Sequence, residues 1–201
     1  MTRVFQKPVV TTLSLCAALT ILSGCNDSFV YQRSVSELNN KAAVMIAQGD
    51  AAGAVARLEA ARDLMPKEPS LMYNLALAYQ ANKQPEKATA LLAQFIEEFP
   101  NDKLAPGALK SLGVMEEAQG DAFLGQARQA KGKNDAAATA RWTQQAQDSY
   151  QRAESAFSAL AERSKTAEER QAVEQHLVGL RKIMNKAAAG ELSPLMTSEG
   201  G

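Results

Sequence analysis

A 34-residue period in the middle of the chain restricts its fold more than any other feature. Pro66 and Pro100 are 34 positions apart, as are Ala54 and Ala88, and Leu58 and Leu92. A period of that size marks a small supersecondary unit that cannot bury its apolar side alone and must stack on copies of itself. Inside the period the apolar residues return every three or four positions: Leu38, Ala42 and Met45, then Ala54, Leu58, Ala61 and Met65, then Ala88, Leu92 and Phe95. That spacing is one face of a helix. The 201 residues include 37 alanines and only 5% aromatics. Alanine favours helix, whereas strands draw on β-branched and aromatic side chains. The fold expected is all-α, a helical repeat array (an α-solenoid).

Two units follow from the phase, 35–68 and 69–102. In the second, Leu75, Ala76 and Tyr79 lie on the first helix, Ala88 and Leu92 on the second, and Pro100 closes the unit. In the first, Gly49-Asp50 marks the turn, with Ala54, Leu58, Ala61 and Pro66 in the matching places. Small residues let two helices approach, large ones fill the groove between them, and proline ends the second helix. This pattern resembles the tetratricopeptide repeat, a helix–turn–helix unit. Three positions depart from it: Lys41 stands where leucine is expected, Lys83 where glycine is usual, and Phe95 where a small residue is usual. A third, degenerate unit is expected over 103–135. Leu112-Gly113 and Gly120-Asp121 repeat the earlier landmarks a few residues late, which predicts a turn at Gly120-Asp121 and a partner helix over Ala122 to Lys131.

The region 136–190 reads as a helical hairpin that closes the array, with 191–201 as a loose tail. Trp142, Ala146, Tyr150, Ala153, Phe157 and Leu160 form one stripe; Val173, Leu177, Leu180, Met184 and Ala187 form another. Thr166 and Glu169 have the spacing of a capping box, and Gly190 suits a helix end. The aromatic-bearing helix ending at Leu160, followed by a basic helix with Leu180-Arg181, also resembles the tetratricopeptide-repeat lipoprotein of the outer-membrane barrel-assembly machinery.

Residues 1–24 read as a signal peptide. Arg3 and Lys7 precede an apolar run from Val9 to Leu22, too short to span a bilayer comfortably and the right length for a signal core. The run ends in Leu22-Ser23-Gly24-Cys25, which resembles a bacterial lipobox. The resemblance implies cleavage before Cys25 and acylation of Cys25. Two or more acyl chains anchor stably. Removing Arg3 and Lys7 from 22 basic against 22 acidic residues leaves a net charge of −2. Residues 25–34 form the lipidated N-terminus and a linker. Asp27 lies one place beyond the position that resembles an inner-membrane retention signal, which favours the outer membrane, facing the periplasm, without excluding the inner one.

Catalytic chemistry is poorly supplied. His176 is the only histidine and reads as a helix-edge residue, and the pairs Glu97-Glu98, Glu116-Glu117 and Glu168-Glu169 read as solvated faces. Adjacent helical positions do not face each other, so such pairs hold metals poorly. No phosphate-binding glycine motif is present. Equal numbers of basic and acidic residues argue against nucleic-acid binding through bulk charge. Arg128, Lys131, Lys133 and Arg141 gather near Trp142, as a patch for nucleic acid or anionic glycan or, more plainly, as a solvated face.

No enzyme activity, cofactor or metal is expected. What remains is a surface. The repeat resemblance implies a concave face, lined by the first helix of each pair, that grips a protein or peptide partner. In the first unit that face carries Asn39, Asn40 and Ala43, with Ser36 and Ile46; in the second it carries Ser70, Tyr73, Asn74, Leu77 and Gln80. Related arrays clamp a carboxylate with lysine and asparagine on this face, and Asn39 and Ala43 replace two of those residues here. The function expected is a membrane-anchored adaptor in envelope or outer-membrane assembly. A pilus or secretion-system assembly lipoprotein, or a binder of wall enzymes or glycan, stand as alternatives.

Overall fold

In the computed structural model, residues 33–191 are described. Cys25, the signal segment and the tail beyond Glu191 lie outside the described residues. Seven helices follow one another: α1 (33–47), α2 (Ala51–Leu64), α3 (Pro69–Ala81), α4 (Pro85–Glu98), α5 (Ala105–Gly132), α6 (Ala136–Glu162) and α7 (Ala167–Ala188). The described residues contain no strand. From α2 onward each helix packs on the next in the chain, and α5 with α6 is the most extensive pair. The fold is an all-α helical repeat array closed by the C-terminal helices.

Local chemistry sets the ends. Gly49 takes φ +86°, Asp50 then caps α2 by accepting the Gly53 N–H at 2.9 Å, and Pro69 and Pro85 open α3 and α4. Lys83 adopts the left-handed conformation (φ +56°) in place of the usual glycine, at a cost of about 1 kcal/mol. Thr166 Oγ1 accepts the Glu169 N–H at 3.1 Å. The Glu169 carboxylate reaches back one residue further than the capping-box reading expects, to the Lys165 N–H at 3.1 Å.

Two apolar clusters hold the array. The first joins α1 to the start of α5; Leu58, Leu71, Leu75, Leu92 and Phe95 are all fully enclosed in it. The second joins the end of α5 to α6 and α7 around Tyr150, Phe157 and Leu180. Helix α5, about 42 Å long by its 28 residues, serves the first cluster with its N-terminal half and the second with its C-terminal half.

The third unit differs from the sequence expectation. No turn occurs at Gly120-Asp121, and Ala122 to Lys131 is no separate partner helix; both belong to the unbroken α5. Its partner is α6. The glycines that resemble turn residues are packing residues. A Cβ on Gly113 would lie 2.8 Å from the Phe157 ring, and one on Gly120 would lie 2.7 Å from the Tyr150 ring. The pair Glu116-Glu117 is likewise no solvated face: Glu116 is 4% exposed and ion-paired to Arg152 Nε at 2.9 Å.

Two tyrosine hydroxyls tie neighbouring helices. Tyr150 donates to Asp121 Oδ1 at 2.6 Å, between α6 and α5, and Tyr79 donates to Glu59 Oε1 at 2.6 Å, between α3 and α2. Burial, then the bond to Glu59, pushes the Tyr79 hydroxyl up from 10.0 to about 12. The neutral phenol is the form the fold favours. Its contribution is therefore complete below pH 10 and is lost as pH rises toward 12. A denaturation midpoint followed from pH 9 to 12 should fall across that window, and Tyr79→Phe should flatten part of the fall. An unchanged slope in that variant would contradict the assignment.

Candidate functional site

Helix α3 is enclosed on every side but one. Leu71, Met72, Leu75, Ala76, Ala78 and Tyr79 are buried against its neighbours. Ser70, Tyr73, Asn74 and Leu77 are half-buried and Gln80 is exposed, and these lie along a single stripe at helical spacing. A helix flanked by others on all sides but one leaves only that stripe to meet another molecule.

Three contacts place this stripe on a face shared by alternate helices. Asn39 Nδ2 on α1 donates to Ser70 Oγ on α3 at 3.1 Å. A Cβ on Gly107 of α5 would come within 3.1 Å of the Tyr73 hydroxyl, so the glycine lets α3 and α5 approach there. His176 Nε2 on α7 lies 2.7 Å from Glu117 Oε2 on α5. Helices α1, α3, α5 and α7 therefore line one face of the array.

The sequence-selected residues fare differently on this face. Asn39 and Ser70 are joined, and Ser70 Oγ also donates to Glu68 Oε1 at 2.8 Å, so both hydroxyl and amide already have partners. Asn39 Oδ1 is buried with no donor among the described residues. Tyr73 packs at 6.1 Å from the Phe95 ring and keeps its hydroxyl without a hydrogen-bond partner among the described residues. Leu77 and Ile46 rest on the first apolar cluster. The side chains of Asn74 and Gln80 make no hydrogen bond among the described residues. Ser36, Asn40 and Ala43 are exposed on α1, and no hydrogen bond or ring contact ties them to the α3 stripe.

Sequence reasoning missed where this face deepens. A cleft of about 710 Å³ lies between the start of α5, the end of α6 and the start of α7. Val114, Leu160 and Val173 supply apolar lining, and Gly107 links it to Tyr73. Gly107, Lys110 and Val114 recur at spacings of 3 and 4, one face of α5, with Lys103 in the turn just before the helix, and that stripe was the available signal. Arg163 and Lys165 join it only because α6 and α7 fold back.

The basic cluster near Trp142 lies largely on an exposed face, with Arg141 and Lys131 engaged by neighbouring groups. The Arg141 guanidinium lies 4.6 Å from the centre of the Trp142 ring, Trp142 stacks on Phe123 at 5.8 Å, and Lys131 Nζ donates to the Gly190 carbonyl at 3.2 Å. His176 meets the Phe157 ring edge-on at 4.6 Å while bonded to Glu117, which joins α7 to α6 and α5. Among the described residues no group of acidic, histidine or cysteine side chains could hold a metal ion, and no helix is long and apolar enough to cross a membrane.

Residues 45–112 match the tetratricopeptide repeat family. The match runs from the end of α1 into the first third of α5 and covers the α3 stripe. Repeats of this family are typically non-catalytic and bind protein partners. The match ends inside α5 and does not reach α6 or α7. No curated protein matches the chain.

Proposed function

We propose that this chain is a lipid-anchored, non-catalytic adaptor of a bacterial envelope that holds a partner protein on the face lined by α1, α3, α5 and α7. The observation that carries the reading is the α3 stripe. The family match covers it, and it is the one side of α3 its neighbours leave open. The lipobox-like Leu22-Ser23-Gly24-Cys25 supports the anchor, and Asn26 rather than Asp directly after Cys25, with Asp27 one place later, supports the outer membrane. With no more than about ten residues between Cys25 and α1, a span of at most ~35 Å, the groove works close to the bilayer. Outer-membrane or envelope assembly is the process that fits such a position.

Photo-crosslinking in the cell that makes the protein tests this. A crosslinking side chain at Tyr73 or Gln80 should yield a discrete protein adduct. The same side chain at Glu98, exposed on α4, should not. Equal adducts from all three positions, or none from Tyr73 and Gln80, would sink the groove reading.

A further inference from the structure

The cleft between α5, α6 and α7 has a charge imbalance that selects a ligand. Lys103, Lys110, Arg163 and Lys165 line it, and their side chains form no ion pair or hydrogen bond among the described residues. The other ionisable groups there are Glu169 and His176. Glu169 is held by the Lys165 N–H at the head of α7, and His176 is held by Glu117. Four unpaired cations thus face one carboxylate that is already engaged. Two cations outside the cleft are paired across helices, Arg152 with Glu116 and Arg181 with Glu154. Between the cations the surface is apolar, and Val114 is 47% exposed there although it is a large aliphatic residue in mid-helix.

We propose that this cleft seats a segment of the partner protein that carries one or two large apolar side chains flanked by Asp or Glu. The inference rests on the groove reading above and adds the chemistry of what the groove takes. The apolar side chain would cover Val114, Leu160 and Val173, removing exposed apolar surface from water. Flanking carboxylates would meet the four cations, which steer encounter and reject basic segments. A neutral apolar segment would leave the cations idle, and a purely acidic one would leave the apolar floor wet. Gly107 and the free Tyr73 hydroxyl make the cleft continuous with the α3 stripe, so one extended segment can occupy both.

The test places a photo-crosslinking side chain at Val114 in the full chain, in the native cell, and sequences the crosslinked segment by mass spectrometry. The same experiment is run in Lys110→Glu/Arg163→Glu and in Lys110→Arg/Arg163→Lys, with circular dichroism of each purified chain as the control for folding. The expected result is a segment with net negative charge and a large apolar residue. Its yield should fall about tenfold on charge reversal and be kept by the conservative exchange. A neutral or basic segment, a second copy of this chain, a lipid adduct, or a yield indifferent to charge reversal in a folded variant would overturn the proposal. An adduct from Tyr73 but none from Val114 overturns it too and leaves the groove reading standing. No adduct from either position overturns both.

Discussion

Phe95→Ala lowers the stability of the array by about 3–5 kcal/mol. The expectation runs against the repeat pattern, in which a small residue is usual at this place. Phe95 has no exposed surface. Its ring lies 6.1 Å from that of Tyr73 and 5.6 Å from that of Phe99, so it fills the space between α3 and the end of α4. Alanine there restores the usual residue and leaves a cavity that the surrounding helices cannot close. Phe95→Leu should cost less, since a large aliphatic side chain keeps most of the volume. Guanidinium unfolding followed by helical circular dichroism measures both. A loss below about 1 kcal/mol for the alanine variant would mean that the helices close the space, and that Tyr73 is not held from beneath as described.

Phe95 also shows what the sequence made legible. The 34-residue period, the apolar stripes and the capping residues each act within a few positions of the chain, so they can be read along it. Ala54, Leu58, Ala88, Leu92 and Phe95 are all enclosed, in the face their spacing assigned. The α3 stripe was legible for the same reason: once six positions of the helix are committed to neighbours, Ser70, Tyr73, Asn74, Leu77 and Gln80 are what is left between its end residues Pro69 and Ala81. On α1 the same reasoning is weaker. That helix has described neighbours on fewer sides, and Asn40 and Ala43 share a broad exposed surface with Lys41 and Val44.

What was not legible depends on which helices meet. Lys103 and Lys110 lie about 55 residues before Arg163 and Lys165 in the chain, and nothing local announces that the α6–α7 turn brings them to one cleft. Glu116 reads as half of a surface carboxylate pair until α6 supplies Arg152. The departure at Lys83 was legible as a departure, but only the backbone shows that lysine takes the conformation glycine would have taken. The family match ends at residue 112 inside α5, and α5 and α6, with 28 and 27 residues, are about twice the length of the 13- and 14-residue helices before them.

Gly120 is where the misreading can be tested by its energetics. In a turn, glycine is chosen for backbone freedom; in α5 it is chosen for the space that Tyr150 occupies. Within a helix, Gly→Ala by itself stabilises by about 1 kcal/mol. At Gly125, where a Cβ would meet nothing within 4 Å, that gain should appear in full. At Gly120 the Cβ would lie 2.7 Å from two carbons of a Tyr150 ring that has no exposed surface. The ring cannot easily turn aside, because its hydroxyl is bonded to Asp121 at 2.6 Å. Overpacking of this kind costs about 1–3 kcal/mol, which exceeds the propensity gain over most of that range. Gly120→Ala should therefore destabilise and Gly120→Val should do so more strongly, while Gly125→Ala, five residues along the same helix, stabilises. Denaturant midpoints of the three variants decide it. Gains of equal size at both glycines would show that α5 and α6 do not pack against each other through Gly120. The cleft that Arg163 and Lys165 complete would then lose its supporting wall, because the same pairing carries α6 back alongside the start of α5.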